Sequence, residues 1–265
     1  MTAHASVSPS SHHHIATYDG RDAGALAALL DLPRVVLFDE VASTLDVAHA
    51  LGERGESAGT LVLADAQTAG RGRFGRNWRS DRGAGIWLTL LERPASAESL
   101  GVLALRLALA VAPALERFTA ATTRLKWPND VYVDERKLAG VLVEARWRGP
   151  RLDWIAIGVG INVRPPAGFD AAGLVSAARR VDVLHALVPA LRAAARTTGA
   201  LTDDELARYQ GRDLALRRVC TEPARGVVAG IRRDGALLVE TAAGLVACHS
   251  GSLVFAPANS VGSRP

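Results

Sequence analysis

The first 165 residues carry five apolar stretches that are short enough to be strands. The uninterrupted runs at 35–38, 60–65 and 85–91 predict buried strands, because a strand covered on both faces has no polar alternation. The stretches 137–147 and 153–163 flank Arg148-Gly149-Pro150 and predict a β-hairpin.

Other segments have helical spacing. Helices are predicted at 20–32, 98–119, 177–200 and 203–211, where apolar residues recur on one face. Ser43-Thr44 predicts the N-cap of a further helix that runs through Gly52. Thr202 and Glu205 have the spacing of a capping box at the start of the last helix.

The C-terminal part changes character. Short β-rich runs between glycines occupy 218–255, and Asp234-Gly235 between two apolar runs predicts a hairpin. We therefore expect four segments, which are 1–30 (a polar tail, disordered over 1–14, and a short helix), 31–211 (an α/β domain), 212–257 (a small β-barrel) and 258–265 (a tail).

The composition excludes some classes of protein but does not identify the function. No apolar run reaches the roughly 18 residues of a membrane span, and no secretory signal is visible. Two cysteines without a Cys-x-x-Cys motif favour a cytoplasmic protein without a disulfide framework, although a bridge between Cys220 and Cys248 stays open. Of the 31 basic residues only Lys126 and Lys137 are lysines, which indicates that these two positions need a compact charge.

Gly70, Gly72 and Gly75 match the spacing G-x-G-x-x-G of a dinucleotide-binding turn. That turn must lead into a helix, and a crossover to a parallel strand takes about a dozen residues. Only ten residues separate Gly75 from Ile86, and they lack an apolar stripe. We therefore expect a mobile loop that gathers arginines and backbone N–H groups around an anion, with Trp78 partly buried at its edge.

Four motifs stand in order along the chain. They are Gly70-Arg-Gly-Arg-Phe-Gly-Arg-Asn-Trp78, Lys126-Trp-Pro-Asn-Asp130, Lys137-Leu-Ala-Gly-Val-Leu-Val-Glu144 and Gly158-Val-Gly-Ile-Asn162. Together they resemble the signature of biotin–protein ligases, over a region from about residue 36 to about residue 255. The resemblance implies an α+β fold, in which a central mixed sheet flanked by helices, like that of class II aminoacyl-tRNA synthetases, precedes a small SH3-like barrel. The short class without an N-terminal DNA-binding domain fits best, because only about 35 residues precede the first predicted strand.

The resemblance also implies an activity, that of a biotin–[acetyl-CoA-carboxylase] ligase. Such an enzyme makes biotinyl-5′-AMP from biotin and ATP with Mg²⁺, and then transfers biotin to a lysine of an acceptor. The implied partner is the biotin carboxyl carrier domain of acetyl-CoA carboxylase or of a related carboxylase. No nucleic acid or membrane partner is expected, and both a monomer and a homodimer stay open.

Site residues follow by matching motif positions. The resemblance implies that Arg73 holds the adenylate, that Lys137 bridges the carboxylate and the α-phosphate, and that Asp130 orients the incoming lysine amine. The implied biotin-binding set is Ser43, Thr44, Leu45, Gln67, Arg71, Gly72, Arg73, Lys137, Gly140, Gly158 and Gly160. The implied ATP- and adenylate-binding set is Arg71, Arg73, Arg76, Trp78, Lys126, Asn129, Lys137 and Asn162, with any metal carried by ATP.

The sequence departs from the family pattern at one position. Leu45 stands where the family usually has Asn, so one contact to the ureido ring is in doubt unless a backbone group at Leu45 replaces it. Two alternatives stay open, a lipoate or octanoate ligase of the same fold and a non-catalytic biotin or adenylate sensor. An octanoyl transferase would need a nucleophilic cysteine in the site, whereas both cysteines fall in the tail region.

Overall fold

An eight-stranded mixed sheet forms the centre of the molecule. The computed structural model describes residues 13–257, so the predicted tails at 1–12 and 258–265 lie outside the described residues. The strands are β1 (His13–His14), β2 (Arg34–Val41), β3 (Thr60–Gln67), β4 (Gly85–Glu92), β5 (Thr123–Lys126), β6 (Asp130–Val133), β7 (Arg136–Arg148) and β8 (Arg151–Asn162). Their order is β1-β2-β3-β4-β8-β7-β6-β5, and only β2 and β3 pair in parallel.

Helices cover both faces of this sheet. They are α1 (Ala23–Leu30), α2 (Thr44–Glu53), α3 (Leu100–Glu116), α4 (Arg180–Arg196) and α5 (Asp203–Arg212). The larger core joins one sheet face to α1, α3 and α4, and the smaller core joins the opposite face to α2. Neighbouring residues such as Leu37 and Phe38 therefore enter different cores, which explains why the predicted strands are apolar without interruption.

A second sheet follows at the C-terminus. It contains β9 (Val219–Glu222), β10 (Gly226–Ile231), β11 (Leu237–Thr241), β12 (Gly244–Cys248) and β13 (Val254–Phe255), paired antiparallel in the order β12-β11-β10-β9-β13. The predicted fold class, a mixed sheet with helices followed by a small β unit, is confirmed. The exact domain boundaries stay predictions.

Most of the predicted elements are confirmed, including the caps. The Ser43 side chain accepts from the backbone of Leu45 at the start of α2, and Thr202 and Glu205 form the capping box of α5. Two expectations were wrong or incomplete. The tail was expected to be disordered through residue 14, but His13–His14 pairs with β2, which offers an open edge. The short strands β5 and β6 were not predicted.

Two expectations from the composition, on the cysteines and on membrane spans, can be compared with the structure. Cys220 and Cys248 are both free thiols, so the possible bridge between them is absent. Within residues 13–257, no helix is long and apolar enough to cross a membrane.

Candidate active site

The glycine-rich segment forms a folded hairpin between β3 and β4. Backbone hydrogen bonds close it in three places, from Gln67 N to Ser80 O (3.1 Å), from Trp78 N to Gly70 O (2.8 Å) and from Gly72 N to Arg76 O (2.7 Å). The tip is one short 3-10 turn, Arg73–Gly75. Because β3 and β4 are antiparallel and no helix follows the glycines, the dinucleotide-binding interpretation is excluded, as the sequence predicted.

This arginine hairpin, residues 67–80, covers a cavity of about 280 Å³ on the α2 face of the sheet. The cavity brings together nearly every residue in the predicted site. Those that line it are Ser43, Thr44, Leu45, Gln67, Arg71, Gly72, Arg73, Arg76, Trp78, Lys126, Asn129, Asp130, Lys137, Gly140, Gly158 and Gly160. Asn162 is the exception, because it is buried behind the wall and its Nδ2 donates to the Lys137 carbonyl at 3.2 Å. It therefore supports the backbone of Lys137.

Glycines form the floor of the cavity. A Cβ atom at Gly160 would come within 2.5 Å of the Trp78 indole, and one at Gly140 within 3.1 Å of it. A Cβ at Gly158 would lie 3.2 Å from the side chain of Leu45. The absent side chains thus give the space that Trp78 and Leu45 fill along the floor.

One end of the cavity is uncharged and hydrogen-bonded. The Gln67 Oε1 accepts from Thr44 N at 2.9 Å and from Thr44 Oγ1 at 3.1 Å, while its Nε2 donates to Ser80 Oγ at 2.8 Å. The Leu45 N–H donates to Ser43 Oγ at 3.3 Å, so this backbone donor is engaged in the cap of α2. The Leu45 side chain instead contributes an apolar wall next to neutral donors and acceptors.

The other end of the cavity is cationic. The Lys137 Nζ lies 2.8 Å from Asp130 Oδ1 and 4.9 Å from the centre of the Trp78 ring. Lys126 makes no ion pair within residues 13–257, and its Nζ lies 4.9 Å from the Phe255 ring centre. Burial lowers the pKa of Lys126, and the nearby Asp130 opposes that shift. A half-buried lysine facing aromatic rings is a suitable partner for a ligand anion.

The C-terminal sheet completes this end. Arg73 Nη1 donates to the Gly251 carbonyl at 3.3 Å, and Arg76 Nη2 donates to Ser252 Oγ. Burial lowers the pKa of Arg73, although the Asp130 carboxylate partly offsets this. The tip of the hairpin is therefore attached to a segment about 176 residues further along the chain.

Sequence reasoning missed the contributions of distant segments. Ser252 and Leu253 line the cavity, as does Tyr132 on β6, and none of them was predicted. Tyr132 follows the second motif in an alternating stretch, which is a usable signal. No local pattern marks Ser252, because only the packing of the two sheets brings it to the hairpin. Across residues 13–257 no three His, Cys, Asp or Glu side chains are grouped to hold a metal ion.

Taken together, the sheet, the arginine hairpin and the cavity define a binding protein whose site suits a ligand with one uncharged polar end and one anionic end. The profile of the Biotin/lipoate A/B protein ligase family matches residues 38–162. The biotin–[acetyl-CoA-carboxylase] ligase of Mycobacterium tuberculosis is 33% identical over 214 residues, which are 74% of this chain and 79% of that protein. The chain belongs to the biotin–protein ligase family.

Two further comparisons define the extent of the likeness. The biotin protein ligase from Aquifex aeolicus, solved in complex with biotin and ATP, matches with a TM-score of 0.67 and 30% identity, over 83% of this chain and 97% of that one. The bifunctional ligase/repressor BirA of Bacillus spizizenii is 41% identical over 126 residues, which are 47% of this chain and 39% of that protein. The chain thus matches about two fifths of the length of this curated relative.

Proposed function

We propose that this protein is an ATP-dependent biotin–protein ligase. It activates biotin as biotinyl-5′-AMP and then transfers the biotinyl group to a lysine of a carrier protein. One observation carries the proposal, namely that a single cavity joins the neutral pocket at Ser43, Thr44 and Gln67 to the cationic end at Lys126 and Lys137. Family membership and the likeness to a structure that holds biotin and ATP support it.

The neutral end suits the ureido ring of biotin. That ring is uncharged, donates and accepts hydrogen bonds, and is fused to an apolar tetrahydrothiophene ring, so it needs neutral polar groups beside an apolar wall. Ser43, Thr44 and Gln67 supply the polar groups, and Leu45 supplies part of the wall. The carboxylate at the other end of the molecule would then point along the glycine floor toward Lys137.

The cationic end suits adenylation. A biotin carboxylate oxygen attacks the α-phosphorus of ATP, a new O–P bond forms, and the bond to pyrophosphate breaks. Negative charge increases on the transferring phosphoryl oxygens and on the leaving group, so fixed cations stabilise the transition state. We expect Lys137 to bridge the carboxylate and the α-phosphate, and we expect Arg73, Arg76 and Lys126 to surround the phosphates. Mg²⁺ would enter with the triphosphate.

We assign three further cavity residues, and Asn162 outside the cavity wall, to the binding of the nucleotide. Trp78 offers an indole face, and Asn129 stays attached to β7 through Val141. Arg71 belongs to the stem of the hairpin that closes over the intermediate, and Asn162 supports Lys137 from behind. Closure of the hairpin would exclude water, which otherwise hydrolyses the mixed anhydride.

Transfer needs a nucleophilic amine. The acceptor lysine attacks the carbonyl carbon of the adenylate, the acyl–O bond to AMP breaks, and the amine loses a proton. We expect Asp130, which contacts Lys137 at 2.8 Å in the free protein, to accept a hydrogen bond from this amine instead. We propose the biotin carboxyl carrier domain of acetyl-CoA carboxylase, or of a related carboxylase, as the acceptor, and the cytoplasm as the compartment.

The decisive experiment is pyrophosphate exchange without any acceptor protein. Purified protein with ATP, Mg²⁺ and labelled pyrophosphate should form labelled ATP only when biotin is added, and Lys137→Ala should abolish this exchange. Exchange with lipoate or octanoate but not with biotin would transfer the protein to the sister group of ligases. Biotin binding without exchange would identify a non-catalytic sensor and refute the proposal.

A further inference from the structure

A line of polar side chains, buried at its β8 end and partly exposed at its other end, runs from β8 to the stem of the arginine hairpin. The Trp154 Nε1 donates to His49 Nδ1 at 3.1 Å, and His49 Nε2 lies 2.8 Å from Glu144 Oε2. The other carboxylate oxygen of Glu144, Oε1, lies 3.6 Å from Arg71 Nη2. We call these four residues the stem relay. Only Arg71 among them lines the cavity.

The direction of the hydrogen bonds in the stem relay is fixed by chemistry. An indole N–H only donates, so His49 Nδ1 must accept and the ring proton must sit on Nε2. His49 therefore donates this proton to Glu144. Burial lowers the pKa of His49, although the hydrogen bond to Glu144 opposes the shift, so the neutral ring is favoured. A second proton on Nδ1 would also face the Trp154 N–H.

Trp154 itself is held in place by packing. A Cβ atom at Gly52, one turn after His49 in α2, would lie 2.6 Å from the indole, so only glycine leaves room for the ring there. The Arg93 guanidinium lies 5.6 Å from the centre of the indole ring. The donor that fixes the His49 tautomer is thus rigidly placed.

Arg71 is the last residue of the stem relay and lies in the stem of the arginine hairpin. Its guanidinium contacts both oxygens of Asp46, at 2.9 and 2.8 Å, in addition to Glu144. Arg71 also precedes Gly72 and Arg73, which line the cavity. The attachments of the arginine hairpin therefore include one at its stem through Arg71 and one at its tip, where Arg73 and Arg76 reach Gly251 and Ser252.

We propose that His49 is a positioning residue, which acts through Glu144 to hold Arg71 and the stem of the arginine hairpin over the cavity. The expected effect on biotinyl-5′-AMP rests on the proposed function, because a loosened stem would let this intermediate escape from the cavity. The proposal assigns no contact with substrate to His49. It predicts that breaking the stem relay increases release of biotinyl-5′-AMP more than it slows its formation.

The test uses His49→Leu and Glu144→Gln. Pyrophosphate exchange measures formation of the intermediate, and capture of free biotinyl-5′-AMP measures its release. Release should increase about three- to tenfold, the effect of one lost hydrogen bond, while exchange stays within about twofold of the parent protein. His49→Gln should restore much of the retention, because its amide N–H can still donate to Glu144. Trp154→Phe should increase release of biotinyl-5′-AMP. Trp147→Phe should not, because Trp147 lies in the same β7–β8 hairpin but is exposed.

A double-mutant cycle separates positioning from general destabilisation. If His49 acts through Arg71, adding His49→Leu to Arg71→Ala should cause no further release, whereas independent effects would multiply. Hydrogen exchange of the amides at 70–76 gives a readout that needs no catalysis and should speed up in His49→Leu and Glu144→Gln. Unchanged exchange of these amides, or multiplicative release, overturns the inference. Failure of the parent protein to make any adenylate would refute the proposed function, while the amide exchange would still test the stem relay.

Discussion

The indole of Trp78 lies directly on Gly160, where a Cβ atom would come within 2.5 Å of the ring. Trp78 belongs to the arginine hairpin and Gly160 belongs to β8, so this contact places the hairpin against the sheet. Lys137 lies on the same ring, with Nζ 4.9 Å from its centre. The position of a candidate catalytic lysine therefore depends on a glycine in a neighbouring strand.

We expect Gly160→Ala to disable the site while the fold survives. The added methyl group must displace Trp78, because the contact is far shorter than van der Waals distance. Biotin-dependent pyrophosphate exchange should fall at least about tenfold, which corresponds to about 1.4 kcal/mol of transition-state stabilisation. Circular dichroism should show an unchanged secondary structure.

Gly211→Ala is the matched control for that substitution. Gly211 lies in α5 with no heavy atom within 4 Å of an added Cβ. Alanine there should raise the free energy of unfolding by at most about 1 kcal/mol and leave exchange unchanged. Full exchange activity in Gly160→Ala would show that the Trp78 contact is not needed for adenylation.

Arg73→Gly should separate formation of the adenylate from its retention. The side chain of Arg73 joins the tip of the hairpin to the Gly251 carbonyl, and its loss should open that end of the cavity. We expect pyrophosphate exchange to continue, while released biotinyl-5′-AMP labels lysines on an unrelated protein such as serum albumin. Arg79→Gly, in the same hairpin but outside the cavity wall, should label no more than the parent protein. If Arg73→Gly still forms the adenylate but does not label the unrelated protein, Arg73 does not retain the intermediate.

Local patterns were enough to predict the five longest strands of the central sheet, the helices and the failure of the dinucleotide-binding motif. The ten residues between Gly75 and Ile86 could not form a crossover helix, and the structure shows a hairpin at that place. Chain-local chemistry also predicted the caps at Ser43 and Thr202, because a cap depends only on residues within one turn.

Long-range packing accounts for what sequence reasoning missed. The hydrogen bond from Arg76 to Ser252 spans 176 positions, and no spacing rule links them. The relay from Trp154 through His49 to Glu144 joins three separate elements, and a histidine within an apolar helix carries no signal of its own. Asn162 was predicted to belong to the ATP- and adenylate-binding set, but it does not line the cavity, and its Nδ2 donates to the Lys137 carbonyl.

Leu45→Asn tests the departure from the family pattern. Leu45 is 3% exposed and packs on Gly158, so an asparagine there buries an amide at some cost to the stability of the free protein. If the ureido ring of biotin binds at the neutral end of the cavity, the introduced asparagine side chain gains a hydrogen-bond partner in the complex. The affinity for biotin should then increase by up to about tenfold. Calorimetric titration of both proteins with biotin measures this change. Weaker binding by Leu45→Asn would indicate that the leucine wall, rather than a missing hydrogen bond, fits the ligand.

Asp213 should make the folded protein less stable as the pH rises from about 4 to about 6. This carboxyl follows α5 at the junction with the C-terminal sheet and is 4% exposed. Burial raises its pKa from 3.8 to about 6, while hydrogen bonds from the backbone N–H groups of Ala215 and Leu216 and the charge of Arg124 oppose the shift. Between these two pH values the native state holds a proton that the unfolded state has lost, so unfolding releases it and rising pH favours unfolding.

Asp213→Asn should remove this pH dependence and stabilise the protein above pH 6. The asparagine Oδ1 can still accept from the Ala215 N–H, a contact of 2.8 Å, but carries no buried charge. The gain at pH 8 is at most about 3 kcal/mol, from a shift of roughly two pKa units, and should disappear near pH 4. Urea unfolding of both proteins at pH 4, 6 and 8 measures it, with the exposed Asp204→Asn, expected to change stability by no more than about 0.5 kcal/mol, as control. A gain that is equal at all three pH values would mean that packing, and not the charge of Asp213, separates the two proteins.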